Sequence, residues 1–396
     1  MFFVISGYLI TSIIHAELLA GRFSFLRFWK RRVRRIFPLV GTMILVTLAA
    51  FALVGYPGSV VAQAEAGLAS ALMVANFHMQ YAFSDYWGDS AESSAFLHMW
   101  SLAVEEQFYL FFPILLFWVH RWRAQHIGLV IVVLSILSWG LYLFLLEAEP
   151  AAAFYMFPAR AWELGVGCFL AVMRAPPMGQ PLRELMTAGG LALFLLAYVL
   201  PTPDGSSVVA KVIAVLGSAL VIEAGRGGRI AQRLLGNGPM VSVGKLSFSL
   251  YVWHYPVLVL SQQSGFAADP LPSLAFNLAV TLALSLASYS FIETPLRRPS
   301  GPLAVRLAFP ATAALAAIAL ISQWSMPPAN LPGYAQPRFA EPFYDLSPRQ
   351  PPASAGTLMK RHGIVIRARP SRTVPLYKTG GFRANYGDRG RLMLIG

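Results

Sequence analysis

IGLVIVVLSILSWGLYLFLL occupies residues 127–146 without one charged side chain. A helix crosses the hydrocarbon core of a bilayer in about 20 apolar residues, so this stretch reads as a complete crossing. RWRAQH precedes it at 121–126, and a second apolar run, 102–119, precedes that. Two apolar runs joined by a short basic turn predict two crossings with the turn on the cytoplasmic side. Applied along the chain, the same reading gives apolar helices at about 1–14, 39–56, 102–119, 127–147, 160–174, 186–201, 208–224, 246–263, 273–292 and 304–324. The fifth is short and extends upstream if Phe154–Phe157 is helical, with Pro158 absorbed near the helix start. The expected fold is therefore an all-α polytopic membrane protein of about ten transmembrane helices with an extracytoplasmic tail.

Composition agrees. The 396 residues are 56% hydrophobic and only 12% charged, half the charge of a typical soluble domain, with a mean hydropathy of +0.57. Disorder, a coiled coil and an ordinary soluble enzyme are excluded. Cys168 is the only cysteine, which excludes an internal disulfide and any all-Cys metal site. The net charge is +13, of which residues 325–396 carry +8. In the rest, clusters at Arg22–Arg35, Arg121–Arg123, Arg174–Arg183, Arg226–Lys245 and Arg297–Arg306 alternate with connections that lack Lys and Arg, Lys211 excepted. The positive-inside rule makes the basic connections cytoplasmic and places Met1 and the tail outside. Topology accounts for the charge, and no nucleic-acid partner is implied; the partner is the lipid bilayer.

The tail divides. Eight prolines between Pro327 and Pro352 make an extended linker, assigned to 325–356. Residues 357–396 are polar, and Arg391–Gly396 reads as a strand entering a turn.

Ionisable groups in membrane helices are costly and face a cavity or a partner. Four segments carry them. In His98-Met-Trp-Ser101-Leu-Ala-Val-Glu105-Glu106-Gln-Phe-Tyr109, the residues His98, Ser101, Glu105 and Tyr109 share one helical face; the alternative is an interfacial anchor. Arg160 and Glu163 can pair along one helix, with Gly165 and Gly167 admitting a neighbouring backbone; a functional site and a structural ion pair both fit. Ser247, Tyr251 and His254 share a face, as a site or as packing. Glu293 with Arg297 and Arg298 reads as an interfacial charge cluster. The run Lys30-Arg31-Arg32-Val-Arg34-Arg35 is a topology signal or a phosphate clamp, because arginine pairs bidentately with phosphate. No Walker-type loop, zinc-ligand spacing or nucleophile elbow is present, so neither a metal nor a bound cofactor is expected.

Phe2-Phe-Val-Ile-Ser-Gly-Tyr-Leu-Ile-Thr11, the arginines up to Pro38, Trp100-Ser-Leu…Glu105-Glu-Gln-Phe-Tyr109, Arg160…Glu163, Ser249-Leu-Tyr…His254 and Glu293…Pro295…Arg297 resemble, in order and spacing, the membrane acyltransferase-3 family over residues 2–324. The resemblance implies transfer of an acyl group, often acetyl, from acetyl-CoA or another cytosolic acyl-CoA to an extracytoplasmic glycan such as O-antigen, peptidoglycan or exopolysaccharide, in a bacterial inner membrane. It implies that His98, Ser101, Glu105, Glu106, Arg160, Glu163 and His254 serve catalysis or the acceptor, and that Arg31, Arg32, Arg34 and Arg35 hold donor phosphates. It also implies a C-terminal SGNH hydrolase-like domain beginning within 357–396. The family's usual first helix, with an Arg and a His, would precede Met1, and its Gly-Asp-Ser motif would begin at Gly396. The chain is thus expected to be the middle of a longer protein. A transporter or flippase of lipid-linked glycans is the rival reading, and an inactive fragment a third.

Overall fold

The structure is a computed structural model that describes residues 2–54, 57–84, 93–173, 178–200, 208–225, 227–264, 270–297, 383–387 and 391–395. Its membrane part is helical throughout. The elements are α1 (Phe2–Leu19), α2 (Phe25–Val54), α3 (Pro57–Ala71), α4 (Ala75–Ser84), α5 (Met99–Arg123), α6 (Ile127–Ala148), α7 (Pro150–Tyr155), α8 (Phe157–Val172), α9 (Gln180–Val199), α10 (Val208–Gly225), α11 (Arg229–Leu234), α12 (Gly238–Gln263), α13 (Pro270–Ser288) and α14 (Thr294–Arg297). Each expected apolar segment from 1–14 to 273–292 overlaps one of these helices in its described residues; 304–324 lies outside the described residues.

Six stretches among the described residues are long and apolar enough to cross a membrane: Phe2–Leu19, Phe25–Leu53, Met99–Ala148, Gln180–Val199, Val208–Gly225 and Pro270–Arg297. The third is fifty residues long, about 75 Å if straight, more than twice the hydrocarbon thickness. It breaks at Arg123 (φ −151°, ψ 77°), and one 3₁₀ turn, Ala124–His126, separates α5 from α6. The basic turn read from sequence is that break. The helix at 160–174 does continue upstream, but not unbroken: Met156 is extended, α7 precedes it, and Pro158 sits in the first turn of α8. The Arg-rich segment was expected to flank a crossing beginning at 39; it is instead the start of α2, which runs through Pro38 as one 30-residue helix. Between the second and third expected crossings the structure adds α3 and α4. At 15 and 10 residues, with polar groups such as Gln63 and Asn76, they are too short and too mixed to read as spans.

Side-chain contacts fix the directions. Phe3 and Ser6 of α1 meet Trp100 and Glu105 of α5, so these helices run parallel. Phe3 lies under Arg160 and Gly7 against Leu164, so α1 and α8 are parallel as well. On α2, Phe25 packs on Phe117 and the Trp29 indole N–H donates to the Tyr109 carbonyl, an antiparallel pair. Ser138 of α6 accepts from the Trp162 amide and Ser135 faces Gly165, again antiparallel. Consequently Arg22–Arg35 and Arg121–Arg123 gather at one end of the bundle, as the alternation of basic connections requires.

Small residues set the close approaches. A Cβ on Gly167 would strike the Val4 carbonyl, and one on Gly165 would strike the Ser135 hydroxyl. The α8 helix therefore packs backbone to backbone between α1 and α6, as helices in lipid do where small residues line the seam. Gly190 and Gly217 play the same part between α9 and α10. Large apolar side chains point outward instead, among them Leu129, Ile136, Leu137 and Phe144 of α6 and Leu278 and Phe291 near α13. Lipid tails solvate such a surface, so its exposure carries no penalty.

Residues 327–396 form a second compact unit. Its described residues are an antiparallel hairpin, β1 (Arg383–Gly387) and β2 (Arg391–Ile395), in register from Arg383 opposite Ile395 to Gly387 opposite Arg391. The strand expected at the C-terminus is β2; its partner β1 was not anticipated.

Candidate active site

The α5 helix carries a column of polar groups on one face, each turn tied to a different helix. Spacings of three, four and four residues from His98 to Tyr109 repeat the helical period, which is why a single face holds all four. At the bottom, Glu105 accepts from the Ser6 hydroxyl of α1 at 2.9 Å and from the Tyr109 hydroxyl at 3.0 Å; Tyr109 also reaches Ser6 at 3.1 Å. One turn higher, Ser101 and the Tyr251 hydroxyl of α12 are 2.9 Å apart, and Tyr251 also donates to the His98 carbonyl. At the top, His98 is buried with Nε2 3.2 Å from the Val252 carbonyl, while its Nδ1 has no hydrogen-bond partner among the described residues. The exposed His254 ring lies 5.2 Å from that of His98, and its Nδ1 is 2.7 Å from the Tyr251 carbonyl. Two hydroxyls donating to one carboxylate make charge-assisted hydrogen bonds that hold Glu105 in a fixed position.

Glu106 is half-buried, and its Oε1 makes no hydrogen bond among the described residues. Gln107, on another face, exchanges hydrogen bonds with Asn76 of α4 and so anchors that short helix in the bundle. Here α4 supplies structure, not chemistry.

The basic run splits by direction. Lys30, Arg31 and Arg35 are exposed, and Arg32 and Arg34 are half-buried. The Arg32 guanidinium lies 4.9 Å from the centre of the Tyr109 ring, a cation–π contact, so the inner end of the column meets the basic end of the bundle. Arg31 is held by Glu17 at 2.9 Å. Of the four arginines named from sequence, Arg32 is the one in contact with the column.

Arg160 and Glu163 form a second cluster on α8, both buried, with Nη1 3.0 Å from Oε1. The contact is an ion pair without aligned hydrogen bonds, since neither of these two atoms makes one. Three rings surround the guanidinium at 5.5–5.6 Å: Phe3, Trp100 and Phe154. Trp100 neighbours Ser101, so the cluster adjoins the upper part of the column. Lys211, which broke the charge pattern in sequence, belongs here too: its Nζ donates to the Tyr142 hydroxyl at 3.0 Å and lies 5.2 Å from the Phe154 ring. Its signal was visible as a lone basic residue in a long stretch without any. Ser6 also escaped notice as a site residue, because one serine in an apolar helix carries no pattern.

One expectation is corrected on α12, and one is extended beyond it. Ser247 does not join Tyr251 and His254; it is half-buried and bonds its own helix at the Gly244 carbonyl. Ser249 is the buried serine, donating to Glu293 at 2.7 Å. Glu293 pairs with Arg297, as a charge cluster requires, and a π-helical turn over Tyr289–Glu293 turns it into the bundle, where it is 2% exposed. One extra residue in that turn rotates the face by about 100°, which a 3.6-residue period does not foresee. No group of three or more His, Cys, Asp or Glu able to hold a metal ion occurs among the described residues.

An all-helical bundle with a hydroxyl–carboxylate–imidazole column on α5 and Arg32 against its inner end defines the class: an all-α polytopic membrane protein with ionisable groups buried among its helices. Comparison with known proteins gives the family. The acyltransferase-3 family profile, described as an acyltransferase domain, matches residues 1–290, and the chain belongs to that family. The chain is 29% identical over 317 residues to the O-acetyltransferase OatA of Staphylococcus aureus (strain NCTC 8325 / PS 47), covering 75% of this chain and 52% of that protein. It is 27% identical over 316 residues to the peptidoglycan O-acetyltransferase OatA of Listeria monocytogenes (75% and 50%), and 28% identical over 316 residues to the putative peptidoglycan O-acetyltransferase YrhL of Bacillus subtilis (75% and 50%). The chain thus spans about half the length of these relatives. No solved structure matches it.

Proposed function

We propose that this chain is the membrane part of an O-acyltransferase that moves an acyl group, acetyl by analogy with the relatives, from a cytosolic acyl-CoA to a hydroxyl of an extracytoplasmic cell-envelope glycan in a bacterial cytoplasmic membrane. The observation that carries the reading is the column from Arg32 through Tyr109, Glu105, Ser6, Ser101 and Tyr251 to His98 and His254. Acyl transfer needs a base for the attacking hydroxyl, a held donor and stabilisation of the developing oxyanion. In this reading His98 and His254 serve the hydroxyl and Glu105 and Glu106 order the interior. Arg32 and Arg34, with the exposed arginines beside them, hold the donor's phosphates. Arg160, Glu163 and Lys211 line the acceptor side. The linker and the β1–β2 hairpin belong to an extracytoplasmic, SGNH-like unit. A glycan acceptor of the peptidoglycan type follows from the relatives' names; O-antigen and exopolysaccharide are acceptors of the same chemistry.

The test uses membranes containing the full-length protein, acetyl-CoA labelled in the acetyl group, and an N-acetylglucosamine oligomer. Base-labile label on the sugar is expected. Glycan movement without consumption of acetyl-CoA would replace this reading with a flippase.

A further inference from the structure

Resting on that reading, we propose that the polar column returns a proton across the membrane in exchange for each acyl group, so that transfer is electrically neutral and releases no acid at the acceptor face. The chemistry poses the question. The thioester C–S bond breaks at the donor face and a C–O ester bond forms at the acceptor face. The acceptor hydroxyl loses a proton on one side, and the departing thiolate gains a proton on the other. If the two protons are unrelated, each turnover moves the equivalent of one acyl cation outward. It also leaves one proton outside and takes one from the cytosol, moving one elementary charge against an inside-negative potential. If the protein carries the hydroxyl proton inward, no net charge crosses and neither compartment changes pH.

The structure supplies groups for that return in the required order. From His98 to Tyr109 the column rises over eleven residues of α5, about 16 Å or roughly half the hydrocarbon core. The acceptor-side station is the His254 and His98 ring pair. His98 holds one ring nitrogen on the Val252 carbonyl and keeps Nδ1 without a hydrogen-bond partner among the described residues. Tyr251 packs edge-on against His98 and donates its one O–H to the His98 carbonyl while accepting from Ser101, so that passing a proton along requires that O–H to turn to Ser101. Glu105, Tyr109 and Ser6 form a closed triangle of hydrogen bonds at 2.9–3.1 Å. Glu106 follows, with a buried oxygen that makes no hydrogen bond among the described residues.

The charged groups facing this lower section come from α2: Arg32 on Tyr109, with Arg35 within electrostatic reach of both acids. The upper section is faced by Tyr251, His254 and Tyr255 of α12. A thiolate held beside Arg32 is the terminal proton acceptor. A column built only for packing would not need two consecutive carboxylates, one on its face and one beside it.

The experiment is a proton count. The full-length protein is reconstituted in weakly buffered liposomes at pH 6.5, where a thiol of ordinary pKa about 8.5 stays protonated. Acetyl-CoA is supplied on the donor side and an N-acetylglucosamine oligomer on the other, with an impermeant pH dye on the acceptor side. The expected ratio of protons released to esters formed is zero, with a rate insensitive to an imposed potential. A ratio of one in the wild type overturns the proposal and leaves the acyl-transfer reading standing. No ester at all overturns that reading and this inference with it. Glu105→Gln, Ser101→Ala and Tyr251→Phe are expected to slow transfer at least tenfold and to move the ratio toward one in whichever variant keeps measurable turnover. Wild-type ratio and rate in all three would overturn the assignment of the path to this column.

Discussion

Replacing Gly167 with alanine tests whether the backbone seam between α1 and α8 sets the geometry of the column. The added Cβ would meet the Val4 carbonyl head-on and lie 2.7 Å from the Tyr8 amide nitrogen, where ordinary Cβ contacts lie at 3.4–4 Å and almost none fall under 3.0 Å. Both obstacles are backbone, so no side chain can swing away; α1 must retreat from α8 by about 0.7 Å to bring the Tyr8 nitrogen to an ordinary 3.4 Å, and by more to clear the Val4 carbonyl. Overpacking of this kind costs roughly 1–3 kcal/mol. The functional effect is larger, because Ser6 lies on α1 one residue from Gly7 and donates to Glu105 at 2.9 Å. Carried to Ser6, the shift stretches that contact to about 3.6 Å, outside hydrogen-bonding range for two oxygens. Misplacement on the order of 1 Å at a reacting centre costs roughly a hundredfold in rate.

The assay is ester-linked acetate on cell-envelope glycan per unit of full-length protein in the membrane, with thermal unfolding in detergent measured beside it. Gly140→Ala is the control: its Cβ would meet nothing within 4 Å, and alanine is favoured in a helix by up to about 1 kcal/mol. Gly167→Ala is expected to retain protein but lose most acylation, and Gly140→Ala to keep both. Equal acylation in the two variants would refute the claim that this seam positions the site.

Further expectations concern single side chains. Glu105→Ala, Glu106→Ala and Arg160→Ala should each reduce glycan acylation at least tenfold with normal membrane levels; full acylation in all three would make these residues structural. Arg32→Lys should raise the acyl-CoA concentration needed for half-maximal rate more than Arg31→Lys does, because Arg32 faces the column and Arg31 is occupied by Glu17, and lysine cannot present the planar two-donor fork; equal effects would reduce the patch to a topology signal. Lys211→Met, which keeps the length and removes the charge beside Tyr142 and Arg160, should weaken acceptor use and spare the donor requirement, read as KM for each substrate. Reporter fusions after residue 330 should be active only outside the cytoplasm, and cytoplasmic activity would overturn the proposed sidedness.

Local sequence determined a great deal here. A run such as 127–146 has no state other than a buried or membrane helix, since its backbone hydrogen bonds must close within itself and its side chains shun water. The fall of Arg and Lys between such runs placed the turns, and the helical period put His98, Ser101, Glu105 and Tyr109 on one face before any neighbour was known. What sequence could not supply was the neighbour. That Glu105 is met by Ser6, Ser101 by Tyr251 and the Arg160 cluster by Lys211 depends on which helices touch, and each pair lies 50 to 150 residues apart. The contact between α1 and α8 required a glycine at 7 facing the Leu164 backbone and a glycine at 167 facing the backbone of Val4 and Tyr8, which periodicity within one helix does not encode. Glu293 shows the same limit at short range. Its pairing with Arg297 was legible from their spacing, but a π-helical turn brings it against Ser249 of another helix, because the rotation of a helix about its axis is settled by packing against the partner and not by the residues of the helix alone.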